Sequence, residues 1–143
     1  MNLNKPKFWE TKYNIYTLLL FPLTLIAELY IILKKKFIKP IKFNTPTICF
    51  GNLYIGGTGK TPASIFLAKE FLKLGKKPAI LRKFYKSHVD EHNLIKKEFT
   101  NLILCKNRVE GMHEAESKGF ETIILDDGFQ DYKIKKNLNI LCF

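Results

Sequence analysis

The sequence contains few cysteines, and their arrangement argues against two common classes of small protein. There are only three in 143 residues, none lies in a C-x-x-C pair, and each falls within an apolar run. A disulfide framework or a structural zinc site requires paired cysteines at short, regular spacing. We therefore expect three reduced core residues of a cytosolic domain, which are Cys49, Cys105 and Cys142.

Acidic residues are also scarce. The chain has 13 aspartates and glutamates against 24 lysines and arginines, which gives a formal charge of +11 and a pI near 9.6. Nucleic acid, an anionic membrane surface and a phosphorylated substrate are all compatible partners for such a charge. However, aromatic and basic residues are not interleaved as they are in proteins that stack on bases. We therefore expect no nucleic-acid partner.

Residues 47–63 have the pattern of a nucleotide-binding loop. Their sequence, TICFGNLYIGGTGKTPA, predicts a short buried strand, a glycine-rich turn and the first turn of a helix. Glycines let backbone N–H groups converge on an anion, and the positive end of the helix adds to the field. We expect Lys60 to reach the outer phosphates of a nucleotide and the Thr61 hydroxyl to help coordinate Mg²⁺. The other predicted nucleotide contacts are Gly56, Gly57, Thr58 and Gly59.

The loop does not match the strict phosphate-loop pattern completely. That pattern, G-x-x-x-x-G-K-[ST], requires a glycine where this chain has Tyr54. The alternative is a glycine-rich turn beside a surface lysine. The apolar strand before the loop and the apolar-periodic segment after it favour the phosphate-binding interpretation.

The N-terminal segment, residues 15–33, is almost entirely apolar. A membrane span needs about twenty apolar residues, so the segment is just long enough. Thr17, Thr24 and Glu28 form one polar stripe at helical spacing, and Pro22 weakens a straight span. We therefore expect a helix embedded in or lying on the bilayer, with a spanning helix and a buried soluble helix as the alternatives. No small-residue cleavage site follows the apolar run, which argues against a signal peptide.

A cluster of lysines follows this segment. Positively charged flanks stay on the cytoplasmic side and bind anionic headgroups, so the phosphate loop is expected to face cytosolic ATP. A solvated charge run is the alternative. We expect a membrane-associating helix with a basic flank over residues 1–43 and a nucleotide-binding domain over residues 44–143. The clustered residues are Lys34, Lys35, Lys36, Lys39 and Lys42.

Beyond the loop, short apolar strands alternate with helical segments. The first helix is expected to stop at Gly75, and another runs over residues 107–118 and stops at Gly119. We predict strands at residues 79–81, 101–105, 122–125 and 138–143, the last of them buried. This alternation predicts an α/β fold with a mostly parallel sheet, of the P-loop NTPase type. Because no helix follows the last strand, we expect a second lobe to be missing or supplied by another chain.

One predicted strand ends in two acids, Asp126 and Asp127. A carboxylate at a strand tip can hold a Mg²⁺ ion that bridges the outer phosphates of a nucleotide. Adjacent side chains point in different directions, so we expect different roles for the two residues. A plain Asp-Asp-Gly turn is the alternative.

Asp90 lies near the predicted start of a further helix, and it has two interpretations. It either caps that helix or acts as a base that orients a substrate hydroxyl for phosphoryl transfer. Residues 82–86 follow the second strand, where open α/β sheets place ligand sites, and their basic side chains either bind phosphates or form an exposed loop. The histidines have no metal-ligand spacing, so we expect surface positions for His88, His92 and His113.

Four segments carry a resemblance to a known family. They are FGNLYIGGTGKTP at residues 50–62, VDE at 89–91, NRV at 107–109 and LDDGFQ at 125–130. In this order behind an apolar N-terminal segment, they resemble tetraacyldisaccharide 4'-kinase, the kinase of the lipid A pathway in Gram-negative bacteria. The resemblance covers nearly the whole chain but only the N-terminal lobe of the family.

The resemblance implies transfer of the ATP γ-phosphate to the 4'-hydroxyl of a lipid A disaccharide 1-phosphate, which gives lipid IVA. By position, it assigns catalysis to Asp90, Lys60 and Asp127, and metal binding to Thr61 and Asp126. The implied cofactors are ATP and Mg²⁺. The implied partners are the disaccharide 1-phosphate, anionic lipids on the cytoplasmic face of the inner membrane, and a separately encoded C-terminal lobe.

Two positions depart from the family pattern. The family's Ser-Arg-Gly-Tyr stretch appears here as residues 82–85, so Lys83 stands where an arginine is usual. Lysine and arginine are not interchangeable where phosphate is bound through two donors. Asp131 stands where histidine is usual. The alternatives to an active kinase are a truncated, non-catalytic protein that docks on the membrane and another phosphate-loop NTPase.

Overall fold

The computed structural model describes residues 15–52, 58–86 and 89–142, without the side chains of residues 16 and 17. The described residues form two compact units that divide between Lys39 and Pro40. The first unit contains a single helix. The second contains an α/β sheet domain.

Helix α1, Ile15–Phe37, forms the first unit. It includes Pro22 and ends in a turn that carries three lysines, and large apolar side chains are exposed along its length. In the predicted polar stripe, the Thr24 hydroxyl donates to the carbonyl oxygen of Phe21 at 2.7 Å, while the side chain of Thr17 lies outside the described residues. None of the helices that the structure describes is long and apolar enough to cross a membrane.

The second unit contains a sheet of five parallel strands. They are β1 Thr47–Asn52, β2 Pro78–Lys83, β3 Leu102–Cys105, β4 Thr122–Asp126 and β5 Leu138–Cys142, in the spatial order β3-β2-β4-β1-β5. Three helices connect them: α2 Lys60–Lys73, α3 Val89–Glu98 and α4 Arg108–Ser117. This architecture confirms the predicted α/β fold with a parallel sheet.

The core lies on both faces of the sheet because the side chains of the central strands alternate between two apolar clusters. On β4, Ile124 packs with the cluster that includes Ile65 of α2 and Ile95 of α3. Its neighbour Leu125 packs into the opposite cluster, which includes Met112 of α4. All five residues of β4 are buried. This central strand therefore holds its last residue, Asp126, in a fixed position at the carboxyl end of the sheet.

The helix boundaries follow local sequence signals. The side chain of Asn107 accepts a hydrogen bond from the backbone N–H of Val109 at 3.1 Å, which caps the start of α4. Gly75 and Gly119 come directly after the caps of α2 and α4, with φ angles of 73° and 69°. Glycine adopts this left-handed conformation at little cost, so it ends both helices as predicted.

Two predictions of burial were wrong. His92 was expected at the surface, but it is buried and its ring stacks on Phe84 with centroids 5.4 Å apart. The reason is helical spacing, because His92, Ile95 and Phe99 share the inward face of α3 and its C-terminal end. His113 is exposed as expected, and His88 lies outside the described residues.

The last strand was expected to be buried, yet β5 is mostly exposed. It lies at the edge of the sheet, and among the described strands it pairs only with β1. Ile140 and Cys142 are half-buried against the core, while Leu138 and Leu141 remain 51% and 37% exposed. The apolar run alone did not distinguish an edge strand from a central one.

Gly51 gives a testable prediction about the packing beside the end of β4. A Cβ atom at this position would lie 2.6 Å from the Cβ of Phe129, a distance that real Cβ atoms do not adopt. We expect Gly51→Ala to lower the free energy of unfolding by about 1–3 kcal/mol, the usual cost of overpacking. Urea denaturation followed by circular dichroism measures this change.

The control is the same substitution in a Phe129→Gly background. Because the clash involves the Cβ of Phe129, only removal of that atom makes room. We expect Gly51→Ala to cost little in this background. An equal loss of stability in both backgrounds would show that the contact with Phe129 is not the cause.

Candidate functional site

The carboxyl ends of β1, β2 and β4 lie beside the first turn of α2, at the carboxyl end of the sheet. These are neighbouring strands in a parallel sheet, so their last residues lie side by side. Asn52 ends β1 and Asp126 ends β4, and Lys60 begins α2. The predicted loop residues Gly56 and Gly57 lie outside the described residues. Gly59 precedes α2 with a φ of 74°.

Lys60 makes two contacts that join the helix to the strand tips. Its Nζ donates to Asn52 Oδ1 and to Asp127 Oδ1, both at 2.9 Å. The lysine side chain is largely buried, whereas that of Asp127 is half exposed. A cation at the first residue of a helix lies against the positive end of the helix dipole, so it is held there by these acceptors. The same field and the same ammonium group would attract an anion.

Thr61, Asp126 and Arg82 form a hydrogen-bonded cluster beside this lysine, and two of its three members are buried. The Thr61 hydroxyl donates to Asp126 Oδ2 at 3.2 Å and accepts from Arg82 Nη1 at 3.1 Å. Arg82 Nη1 also donates to Asp126 Oδ2, and its Nη2 pairs with Glu91. Arg82 is 5% exposed and Asp126 is fully buried. The sequence interpretation of an exposed loop is therefore wrong for Arg82.

The carboxyl group of Asp126 lies in an unusual environment. Burial raises the pKa of Asp126 above its ordinary value, while the Arg82 guanidinium and the Thr61 hydroxyl oppose that shift. Its Oδ1 atom is buried and has no hydrogen-bond partner among the described residues. A buried carboxylate oxygen without a partner is costly, so this atom is available to a cation or a donor from a ligand.

Asp127 has a different set of partners from Asp126, as expected for adjacent residues. Its carboxylate pairs with Lys60, and its carbonyl oxygen accepts from Arg108 Nη2 at 2.5 Å. Asp127 has a φ of 59°, in the left-handed region that few residues other than glycine adopt. The carboxylate of Asp126, at the end of β4, thus points inward, while the turn that follows directs the carboxylate of Asp127 towards Lys60.

Asp90 does not join this cluster. It is exposed in the first turn of α3, and its carboxylate forms no hydrogen bond or ion pair with another described residue. Because α3 begins at Val89, Asp90 lies inside the first turn and does not occupy the capping position, so that interpretation was wrong. The next residue, Glu91, is the one that reaches Arg82.

Sequence reasoning gave no role to three residues of the site: Asn52, Glu91 and Arg108. Asn52 precedes the glycine-rich turn at the tip of β1, and Arg108 lies in the NRV segment. Their positions at strand ends and helix starts were visible in the sequence. Which partner each would meet depends on the strand order, and no local pattern gives that order.

A family model described as LpxK, tetraacyldisaccharide-1-P 4'-kinase, matches residues 16–143. The chain belongs to this family. The resemblance inferred from the four sequence segments is therefore confirmed.

Curated relatives and a solved structure support the assignment to the LpxK family. The tetraacyldisaccharide 4'-kinase of Pelagibacter ubique is 41% identical over 150 residues, which cover 100% of this chain and 45% of that protein. The one from Aliarcobacter butzleri is 34% identical and covers 92% of this chain and 46% of that protein. The crystal structure of LpxK from Aquifex aeolicus in complex with ATP aligns with a TM-score of 0.71 and 31% identity, over 89% of this chain and 49% of that one.

The chain spans about half the length of the LpxK relatives that it matches. The family match, residues 16–143, includes the parallel sheet described above, Lys60 and Thr61 of α2, and the two aspartates at the tip of β4. The activity of the complete relatives is therefore not shown for this chain by the match alone.

The left-handed conformation of Asp127 gives a prediction for this site. Asparagine tolerates that conformation, whereas a β-branched residue does not. We expect Asp127→Val to lower the free energy of unfolding by about 1–2 kcal/mol more than Asp127→Asn does, although both remove the ion pair with Lys60. Urea denaturation of the two variants measures the difference. Equal stabilities would contradict a backbone constraint at this turn.

Proposed function

We propose that this chain is the nucleotide-binding lobe of a lipid kinase. The reaction is transfer of the ATP γ-phosphate to the 4'-position of tetraacyldisaccharide 1-phosphate, which forms lipid IVA in lipid A biosynthesis. The proposal rests on two hydrogen bonds at the carboxyl end of the sheet. Lys60 donates to Asp127, and Thr61 donates to Asp126. Membership of the LpxK family and the ATP complex of the Aquifex relative support it.

Lys60 is the proposed phosphate-binding cation. Its ammonium group now shares its hydrogens between Asn52 and Asp127, and each contact can be exchanged for a phosphate oxygen. Backbone N–H groups near Gly59, at the start of α2, favour the same anion. In this role Lys60 stabilises the charge that develops on the transferred phosphoryl group, and Asp127 holds the lysine when no nucleotide is bound.

The residues at this end of the sheet fit a Mg²⁺ ion. Magnesium takes oxygen ligands, usually one or two from the protein and the rest from phosphates and water. Thr61 Oγ1 and Asp126 offer a hydroxyl and a carboxylate side by side, and Asp126 Oδ1 has no other partner among the described residues. No group of three His, Cys, Asp or Glu side chains in the described ranges could hold a metal. A bound ion would neutralise charge on the outer phosphates.

Asp90 is the proposed base. Its carboxylate takes the proton from the 4'-hydroxyl as that oxygen attacks the γ-phosphorus, and ADP leaves with the electrons of the broken P–O bond. The carboxylate is exposed at the start of α3 and has no competing partner among the residues described. A base in this state is accessible to a substrate that enters from solvent or from a membrane surface.

Two partners complete the proposal. The first is a C-terminal lobe, which corresponds to the half of the relatives that this chain does not match. The second partner is the cytoplasmic face of the inner membrane, with which α1 associates through its apolar side chains and its lysines. In this division, residues 1–43 bind the membrane and residues 44–143 bind the nucleotide.

Phosphate transfer to the lipid tests the proposed reaction. We mix the full chain with the C-terminal half of the Pelagibacter relative, radiolabelled ATP, Mg²⁺ and disaccharide 1-phosphate in detergent. We expect labelled lipid from the unmodified chain and a loss of at least about a hundredfold in Lys60→Ala and Asp90→Asn, because each removes a transition-state interaction. Thin-layer chromatography measures the product.

Nucleotide binding separates the two roles in the same experiment. Lys60→Ala should weaken binding of a fluorescent ATP analogue, while Asp90→Asn should leave it unchanged. Lys69→Ala is the matched control, since Lys69 lies more than two turns along α2 from Lys60 and pairs with Glu98 of α3. Nucleotide binding without transfer in the mixture would favour the non-catalytic alternative, and no binding at all would reject the proposed site.

Vesicle sedimentation tests the membrane role of α1. We expect the full chain to sediment with vesicles that contain phosphatidylglycerol, and a variant that begins at Lys34 to remain in the supernatant. Loss of the apolar helix removes the buried area that holds the chain at the interface. Unchanged sedimentation of the shortened chain would contradict this role.

A second variant, with Lys34, Lys35 and Lys36 changed to glutamine, should bind the vesicles more weakly, and its binding should no longer depend on salt.

A further inference from the structure

Arg82 occupies the position where the proposed metal ligands meet. Its Nη1 donates to both Thr61 Oγ1 and Asp126 Oδ2, which are themselves 3.2 Å apart. The guanidinium is almost completely buried, so these contacts are not the transient contacts of a surface side chain. The positive charge of Arg82 therefore pairs directly with the Asp126 carboxylate.

We propose that the Arg82 guanidinium is a built-in cation that competes with the divalent metal ion for Thr61 and Asp126. The inference rests on the nucleotide site proposed above and goes beyond it, because it concerns how strongly that site takes a metal. It makes Arg82 a positioning residue that lowers the affinity of the site for the metal until the guanidinium withdraws.

Ligand chemistry requires this competition. A Mg²⁺ ion binds oxygen lone pairs at about 2.1 Å, and arginine always remains charged. An ion on Thr61 Oγ1 and Asp126 Oδ2 would lie within a few ångströms of a guanidinium that donates to the same two atoms. Two like charges this close in a buried site repel strongly. The present position of Arg82 therefore lowers the affinity of Thr61 and Asp126 for the metal, although Asp126 Oδ1 itself has no partner among the described residues.

Glu91 provides the alternative position for the arginine. Its carboxylate pairs with Arg82 Nη2, on the other side of the guanidinium from Asp126. Glu91 is half exposed in the first turn of α3, so it can follow the arginine. The guanidinium can thus release Nη1 while Nη2 keeps its partner, which limits the cost of leaving a buried charge unpaired.

The experiment measures metal binding without nucleotide or lipid. Mn²⁺ replaces Mg²⁺ as the probe because both prefer oxygen ligands and Mn²⁺ has an electron paramagnetic resonance signal that falls on binding. We expect Arg82→Met to bind Mn²⁺ about tenfold more tightly than the unmodified chain. This is the factor expected if the arginine leaves the metal-binding state only about one-tenth populated. An affinity in Arg82→Met that is equal to or weaker than that of the unmodified chain would overturn the proposal.

Lys83→Met is the matched control. It removes the same charge from the neighbouring residue, whose Nζ lies 5.4 Å from the centre of the Tyr85 ring and does not contact Asp126. We expect its Mn²⁺ affinity to stay within about twofold of the unmodified chain, since successive residues of a strand point to opposite faces of the sheet. An equal increase in both variants would show a general effect of net charge and would also overturn the proposal.

A second measurement does not depend on the folding of Arg82→Met. In the unmodified chain, nuclear magnetic resonance of the arginine side-chain N–H groups follows Arg82 directly during a titration with Mg²⁺. We expect the Arg82 signals to shift as the metal binds, while those of Arg108 change little. Signals of Arg82 that stay constant as the metal saturates would refute the competition. Failure of the competition with intact ATP-analogue binding would leave the proposed kinase site standing.

Discussion

The hydrogen bonds between the first turn of α2 and the tip of β4 are the interaction on which the site depends. They join two segments that lie 65 residues apart in the chain, through Thr61 with Asp126 and Lys60 with Asp127. A fully buried carboxylate is costly unless charged or polar groups surround it. Asp126 therefore requires the helix start to lie where it does. The parallel pairing of β4 between β1 and β2 makes that arrangement possible.

The buried pair of Arg82 and Asp126 is difficult to explain as a device for stability alone. Removing two charges from water costs as much as their attraction returns, and apolar residues of similar size often stabilise a fold as well or better. The pair also leaves Asp126 Oδ1 without a hydrogen bond among the described residues. A site that binds phosphates and a cation has a reason to keep charged groups at such a cost, because preorganised charge is what phosphoryl transfer uses.

Local chemistry made much of this structure predictable. Glycine after a helix, asparagine before one, and apolar runs that end in acid act within a few residues, so β1, α2, α4 and β4 appear close to where the sequence placed them. The failures concern properties set by distant neighbours. His92 is buried because α3 packs on the sheet, and β5 is exposed because of its place in the strand order. Arg82 could be placed at a strand tip, but its partners Asp126 and Glu91 depended on the assembled sheet.

The separation of Asp90 from the other polar groups is consistent with a base for an acceptor hydroxyl. In the proposed reaction Lys60 and Thr61 contact the nucleotide, whereas a base contacts the second substrate on the far side of the transferred phosphorus, because attack and departure are in line. A base paired with Lys60 would be a poorer proton acceptor and would block the approach of the hydroxyl. Glu91, the next residue, contacts Arg82 and so ties the start of α3 to the strand tips. The helix can thus hold Asp90 near the site while its carboxylate remains accessible to the acceptor of the proposed reaction.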